Sequence, residues 1–240
     1  MDRRKNALGQ PIGPDLAGWS PPPWPPREPM AGRYCRLEPL SSERHAAALF
    51  AAYAADHAGR NWTYLPYGPF PDLSAFASWI DGYCTSADPL FFAIVDLGTN
   101  APAGLASYCR ITPEAGSIEV GHIHYAEALK GRRAATEAMF LMADAAFRIG
   151  YRRYEWKCDA LNAASRAAAL RLGFTYEGTF RQATVYKGRS RDTAWFAIVD
   201  SDWPALRAAY EAWLDAANFD AAGRQLSRLQ DHAGVARESL

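Results

Sequence analysis

The sequence contains the run Ser117-Ile118-Glu119-Val120-Gly121-His122-Ile123-His124-Tyr125, and five residues later the run Gly131-Arg132-Arg133-Ala134-Ala135-Thr136-Glu137-Ala138. The first predicts a strand, and the second opens a helix whose apolar periodicity extends over 132–149. The free amides of a first helical turn point outward, and the helix dipole favours negative charge there. Small residues and two arginines at this junction therefore indicate an anion site, although Gly131 alone is also typical of an ordinary turn.

A second strand-to-helix junction follows in Asp159-Ala160-Leu161-Asn162-Ala163-Ala164-Ser165, with Leu172-Gly173-Phe174 behind it. Asn162 is a natural helix cap, and Ser165 lies on the turn that it caps. Gly173 tolerates the positive φ at which helices commonly end. The alternative is plain capping with no ligand.

The order of the remaining elements predicts one mixed α/β domain with a single sheet covered by helices on both faces. The first run is the third strand of a three-stranded meander, and the helix, strand and helix behind it complete a βαβα unit. We expect further strands at 33–37, 90–95, 104–111, 151–159, 174–186 and 193–199, and further helices at 43–55, 72–83, 163–172 and 204–216.

Both ends of the chain differ from the predicted domain at 31–217. Eight of the sixteen prolines lie between Pro11 and Pro29, so residues 1–30 predict an extended polyproline arm. We expect a strap on the domain with Trp19 and Trp24 docked. A ligand for a proline-binding module, a disordered leader or an arm shared between subunits are the alternatives. The tail at 218–240 is weakly patterned.

Composition excludes several classes of protein. Lysine and arginine number 26 and aspartate and glutamate 26, and this zero net charge argues against nucleic-acid binding. The longest apolar run, 46–55, has ten residues, whereas a membrane span needs about 20. Four scattered cysteines without a CxxC pair fit a reducing compartment. We therefore expect a cytoplasmic protein without a membrane segment, and the sequence leaves a homodimer open.

Taken together, the two junctions resemble the GCN5-related N-acetyltransferases (GNAT), especially their ribosomal-protein N-terminal acetyltransferase branch. That branch has Glu-(Ile/Val)-Gly on a strand, a turn ending Ala-Thr-Glu-Ala, then Asn-x-x-Ser and Leu-Gly-Phe. The matching residues here are Glu119-Val120-Gly121, Ala135 to Ala138, Asn162 with Ser165, and Leu172-Gly173-Phe174. The resemblance covers roughly 31–200 and implies a mostly antiparallel mixed sheet of about seven strands.

The resemblance also implies direct transfer of acetyl from acetyl-CoA to a primary amine of a small molecule or a peptide N-terminus. The coenzyme arm would lie where the strands of Glu119 and Trp156 separate, with the thioester held by backbone near His124 and Tyr125. The implied pyrophosphate and neighbouring contacts are Gly131, Arg132, Arg133, Ala134, Ala135, Asn162 and Ser165.

Two departures from the family pattern affect this expectation. Arg133 replaces the middle glycine of the pyrophosphate loop, where its amide and guanidinium can still reach a phosphate. Ala169 stands where many relatives have a tyrosine that protonates the leaving thiolate, so water or another tyrosine would do this. A non-catalytic acyl-CoA sensor or scaffold is therefore the alternative function, and a nucleotide-binding α/β protein is a more distant one.

Glu119 is the first candidate for the general base, because partial burial on a strand would raise its pKa. A structural glutamate bonded to a neighbouring element is the equal alternative. His122 is the second candidate base. His122 and His124, two residues apart, could chelate a metal ion, but no third ligand stands nearby, so we expect no metal.

The acceptor wall is expected in the aromatic segment between the first two helices. Trp62 and Tyr64 could hold a cationic amine there, although simple core packing is the alternative. Asp159 could bind the amine or could be only a turn carboxylate. The basic run 187–191 predicts a solvated hairpin turn. Nothing in the sequence identifies the amine.

Overall fold

The computed structural model describes residues 4–233, which form a sheet and six helices. The strands are β1 Met30–Ala31, β2 Cys35–Pro39, β3 Leu90–Asp96, β4 Ala101–Thr112, β5 Ser117–Tyr125, β6 Arg153–Asp159, β7 Thr175–Tyr186 and β8 Arg189–Val199. The helices are α1 Ser42–Tyr53, α2 Leu73–Tyr83, α3 Arg133–Arg148, α4 Ala163–Arg171, α5 Trp203–Leu214 and α6 Leu229–Ala233.

The strands form one sheet in the order β1-β2-β3-β4-β5-β6-β8-β7. The pair β5–β6 is parallel and the other neighbouring pairs are antiparallel. This confirms the predicted mixed, mostly antiparallel sheet. It has eight strands rather than about seven because the two-residue β1 pairs with β2, Met30 opposite Leu37.

Helices cover both faces of the sheet, as predicted. They can do so because the central strands carry apolar side chains on both faces. In β3, Leu90, Phe92 and Ile94 belong to one core with α3 and α5. Phe91 and Ala93 belong to a second core with α1 and α2. The period of two in a pleated strand places successive side chains on opposite faces, so a fully apolar strand serves both cores.

A β-bulge in β5 reverses this alternation halfway along the strand. Ser107 of β4 pairs with Gly121, but Leu105 pairs with His124, so β5 holds one extra residue. His122 takes a left-handed φ of 54° there. An extra residue moves the following side chains to the other face. Ile118 and Val120 therefore face the α3 core, while His122 and His124 face the aromatic residues on the α1–α2 side.

A buried carboxylate attaches α3 to the first strands. The Glu137 carboxylate accepts hydrogen bonds from the backbone N–H groups of Arg33, Tyr34 and Cys35, at 2.7, 2.6 and 2.7 Å. A Cβ at Gly32 would lie 2.5 Å from the Glu137 carboxyl group, so this position has room only for glycine. The contact joins the β1–β2 turn to the helix whose N-terminus follows the predicted anion-binding turn.

The proline-rich arm contacts the domain along part of its length. Trp19 packs over the Arg152 guanidinium at 5.7 Å, and Pro22 and Pro25 are buried. The Arg27 guanidinium donates to the carbonyl of Cys84 at 2.6 Å. The prediction that Trp24 is docked is wrong, because 51% of its surface is exposed. The alternatives that the arm binds a proline-binding module or is shared between subunits stay predictions.

The segment after α5 packs back on that helix. The Asn218 side-chain amide donates to the Trp213 carbonyl at 3.0 Å, and Leu229 of α6 is buried in the α3–α5 core. In the described part of the chain, no helix has the length and apolar character needed to cross a membrane.

Candidate active site

The two parallel strands β5 and β6 separate in the middle of the sheet. Their pairing runs from Ser117 opposite Arg153 to Glu119 opposite Glu155 and stops there. Beyond this point a cleft of about 300 Å³ lies between them, which agrees with the separation expected from the resemblance. We call this space the cleft. Its walls come from β4, β5, β6, the start of α4, the β7–β8 hairpin and residues 61–66.

Glu119 lies at the closed end of the cleft, where it is only 3% exposed. Its Oε1 accepts from Arg110 Nη1 at 2.7 Å, and its Oε2 lies 3.1 Å from Lys157 Nζ. Burial raises the pKa of Glu119, while the charges of Arg110 and Lys157 oppose that shift. The result is a carboxyl group of raised pKa at the surface of the cleft.

Sequence reasoning missed Arg110 and Lys157, although both line the cleft beside Glu119. Lys157 also pairs with Glu155 at 2.7 Å and lies 3.7 Å from the centre of the Trp195 ring. Their position as charged side chains on otherwise apolar strands was the signal that could have identified them, because a charge on a buried strand needs a partner. Finding their partners requires the register of three strands.

His122 lines the cleft with its ring against Tyr67. The ring planes are parallel, with centroids 5.6 Å apart, and Tyr67 Oη lies 3.1 Å from His122 Nδ1. Burial lowers the pKa of His122 to about 4. The imidazole is therefore neutral near pH 7 and is a weaker base than free histidine.

His124 lies deeper than His122, at 3% exposure, stacked on Tyr53 with ring centroids 4.0 Å apart. Burial lowers the pKa of His124 to about 3. Within residues 4–233, no three His, Cys, Asp or Glu side chains come together as a metal site. The His124 side chain thus belongs to the aromatic core, and its part in holding a thioester through backbone stays a prediction.

Of the predicted acceptor wall, Tyr64 and Asp159 line the cleft and Trp62 does not. The Tyr64 hydroxyl donates to the Leu161 carbonyl at 3.2 Å. Trp62 is buried against Tyr53 and His124 and borders a separate aromatic cavity of about 270 Å³. The structure therefore agrees with the alternative interpretation of Trp62, which is core packing. The Trp62 ring packs edge-on against Tyr53 of α1 and against His124.

Asp159 is both a turn carboxylate and part of the cleft wall. Its Oδ1 accepts from the Leu161 N–H and its Oδ2 from the Tyr186 hydroxyl, each at 2.8 Å. Burial, followed by the hydrogen bond to Asp159, raises the pKa of Tyr186. Tyr186, missed from sequence, therefore presents a fixed phenol to the cleft.

The β7–β8 hairpin is not a free solvated turn. Lys187 Nζ donates to the Trp62 carbonyl at 2.8 Å, and Arg189 Nη2 donates to the Thr63 carbonyl at 3.0 Å. These bonds join the hairpin to residues 60–70, which we call the 60–70 loop. The contact closes the cleft on the side where the resemblance places the acceptor.

The predicted anion-binding turn has the expected backbone. Gly131 adopts φ 69°, and a Cβ there would meet no atom within 4 Å, so the turn is open. Arg132 precedes α3 and supplies no side-chain cap to its amides. Arg132 is exposed, whereas the Arg133 guanidinium lies 4.0 Å from the centre of the Tyr34 ring. Ala134 and Ala135 are buried, and the Tyr125 hydroxyl donates to the Ala135 carbonyl at 3.5 Å.

The second junction borders the cleft directly. Asn162 Oδ1 accepts from the Ser165 N–H at 3.1 Å, which confirms the predicted cap of α4. The Ser165 hydroxyl accepts from Trp156 Nε1 at 3.0 Å. Ala169 is fully buried, so its position in α4 presents no group to the cleft. Tyr64 and Tyr186 are the cleft residues with a phenol.

Comparison with known proteins assigns the family. The acetyltransferase (GNAT) domain family matches residues 35–175. A GCN5-related N-acetyltransferase from Brucella melitensis is 47% identical, with a TM-score of 0.89 over 92% of this chain and 100% of that chain. A probable GNAT-family acetyltransferase from Chromobacterium violaceum is 42% identical, with a TM-score of 0.76 over 81% of this chain and 98% of that chain. The chain therefore belongs to the GNAT acetyltransferase family.

A more distant structure shares the fold. It is an acetyltransferase from Salmonella typhimurium described as modifying the N-terminal serine of a ribosomal subunit protein. It is 22% identical, with a TM-score of 0.62 over 72% of this chain and 99% of that chain. No curated protein sequence matches the chain significantly.

Proposed function

We propose that the protein is an acetyl-CoA-dependent N-acetyltransferase that transfers acetyl directly to a primary amine of a small molecule or a peptide N-terminus. The separation of β5 from β6 around the cleft, with the Glu119 carboxyl at its closed end, carries this proposal. Membership of the GNAT family supports it.

The residues of the anion-binding turn fit the coenzyme pyrophosphate. An open glycine turn and an uncapped helix start leave amides that an anion can accept from. Arg132 is the exposed cation at this position. The role of the Arg133 side chain is less direct, because its guanidinium already rests on Tyr34. We therefore assign the phosphate contacts to backbone amides and to Arg132.

The proposed chemistry needs one proton acceptor and one proton donor. The amine nitrogen forms a bond to the thioester carbon, the C–S bond breaks, and the ammonium proton leaves to a base. Glu119 is the proposed base, acting directly or through water. The thiolate takes a proton from water or from a cleft phenol, Tyr64 or Tyr186, because Ala169 cannot supply one.

We also propose a cytoplasmic location, and the proposal leaves the class of acceptor open. All four cysteines are free thiols, which suits the cytoplasm. A ribosomal protein is one acceptor class among peptides, but a fold shared at 22% identity does not select it.

Coenzyme binding is the first test. At about 100 times Kd, CoA or acetyl-CoA should raise Tm by roughly 5–10 °C, because ligand binding to the folded state adds stability. The measurement is a thermal shift with CoA, acetyl-CoA, ATP and NAD. No shift with millimolar CoA would remove the proposal, and protection by ATP or NAD alone would favour a nucleotide-binding protein.

Replacing Arg132 by alanine should weaken CoA binding about 3- to 10-fold and flatten its salt dependence, because one phosphate contact is lost. Tm without ligand should be unchanged, since the Arg132 side chain is exposed. Calorimetric titration at two salt concentrations measures both effects. Arg181→Ala, an exposed charge on β7, is the matched control, and equal weakening in both variants would contradict the assignment.

Turnover is measured as free thiol released from acetyl-CoA with a panel of amines. A time-dependent rise with at least one amine, and an acetylated product by mass spectrometry, is the expected result. Coenzyme binding with no turnover for every amine would support the sensor instead.

A further inference from the structure

One cation of the cleft has no partner. Arg191 of β8 lines the cleft, and its guanidinium makes no ion pair with any carboxylate of residues 4–233. Its Nε is buried and has no hydrogen-bond acceptor. The other cleft cations are matched, Arg110 by Glu119 and Lys157 by Glu119 and Glu155. A buried donor without an acceptor costs free energy, so a bound molecule that supplies an acceptor at this position would satisfy Arg191.

Two carboxylates near Arg191 accept hydrogen bonds from other groups: Asp192 is its neighbour in the chain, and Asp159 is opposite Thr193 in the sheet. Asp159 accepts from the Tyr186 hydroxyl and the Leu161 N–H. Asp192 accepts from the Gln182 N–H at 2.7 Å. The Arg191 guanidinium instead lies 5.8 Å from the centre of the Tyr186 ring. The hairpin thus holds a positive group beside the cleft that forms no direct ion pair with a described carboxylate.

Arg191 lies on the side of the cleft where the resemblance places the acceptor. The tip of its hairpin bonds to the 60–70 loop at Trp62 and Thr63. The residues 131–135 of the anion-binding turn do not border this cleft. The charge of Arg191 also contributes to the lowered pKa of His122, which places the guanidinium near the proposed chemistry.

We infer that Arg191 binds an anionic oxygen group of the acceptor, so that the acceptor is a small amine carrying a carboxylate or a phosphate ester. This inference rests on the proposed function. A guanidinium offers a planar fork that matches two oxygens of either group. With Glu119 near the amine and Arg191 on the anion, the cleft orients the acceptor by its two ends.

The test uses pairs of acceptors that differ in the anionic group. The pairs are α-amino acids with their amides, and phosphoethanolamine with ethanolamine. In the wild type the anionic member of at least one pair should be acetylated faster, and the two pairs distinguish carboxylate from phosphate. In Arg191→Gln, KM for that member should rise about 10- to 100-fold with kcat little changed, because a charge-assisted pair is lost. KM for the neutral member should not change.

Three variants define the effect. Arg191→Lys keeps the charge without the fork and should recover part of the affinity. Arg181→Gln removes an exposed charge from the same hairpin and should have no effect. Equal losses for the anionic and neutral members, or a matching loss of CoA affinity in Arg191→Gln, would overturn the inference.

A binding measurement separates this inference from the proposed function. N-acetylated amino acids and N-acetylphosphoethanolamine carry the anion but no free amine, so their binding in the presence of CoA needs no turnover. If no amine is acetylated but the wild type binds one of them and Arg191→Gln does not, the proposed function fails and the anion site stands. If the wild type binds neither, or Arg191→Gln binds both equally well, the anion site fails.

Discussion

A Glu119→Gln variant should lose about 10²- to 10⁴-fold in turnover while it binds CoA as the wild type does. Glutamine keeps the volume of the side chain, and its single carbonyl oxygen can still accept a hydrogen bond from either Arg110 or Lys157. It cannot take up the ammonium proton. Because only this proton transfer is removed, kcat should fall and Kd for CoA should stay unchanged. Thiol release and calorimetric titration measure the two quantities.

The pH profile gives an independent readout of the same group. A base works only when it is deprotonated, so the rate should fall as pH drops through its pKa. Burial raises the pKa of Glu119, so this fall should come above the ordinary range of glutamate. In Glu119→Gln the low-pH limb should disappear or move.

His122→Ala is the parallel variant. The pKa of His122 is lowered to about 4, so it accepts protons weakly at neutral pH and its loss should reduce turnover less than Glu119→Gln. Near-normal turnover in Glu119→Gln, with a lowered Tm, would show that Glu119 has a structural role and is not the base. If His122→Ala then lost the activity, the histidine would be the base, and otherwise water would be.

A Glu137→Ala variant should be less stable than the wild type by about 3–5 kcal/mol, because three backbone N–H groups lose a charged acceptor. The carboxylate is 4% exposed, so little water can replace it. For a chain of this size, Tm should fall on the order of 10 °C. Thermal and urea unfolding measure the change.

Two variants show whether the Glu137 carboxylate itself is responsible. Glu137→Gln keeps an acceptor oxygen but no charge, and should lie between wild type and alanine. Glu211→Ala removes an exposed, ion-paired glutamate from α5 and should change stability by less than about 1 kcal/mol. A Glu137→Ala protein as stable as Glu211→Ala would show that the β1–β2 turn finds other acceptors.

The sequence alone determined the two junctions and the longer strands and helices, but not the two-residue β1. Strand and helix periods in the runs 117–125 and 132–149 identify β5 and α3, because these patterns are local. The Asn162 cap and the open turn at Gly131 follow from the chemistry of single residues. Motif spacing then sufficed for the GNAT family, since both junctions lie within one strand–helix–strand–helix unit.

The tertiary structure alone decided which side chains meet in the cleft. Arg110, Lys157 and Arg191 reach it from three different strands, so their positions depend on strand register and not on spacing along the chain. The bulge at His122 turns both histidines toward the aromatic core, and no local pattern records that extra residue. Whether a charge is matched or left free is a property of partners distant in sequence, and only the packed sheet brings these partners together.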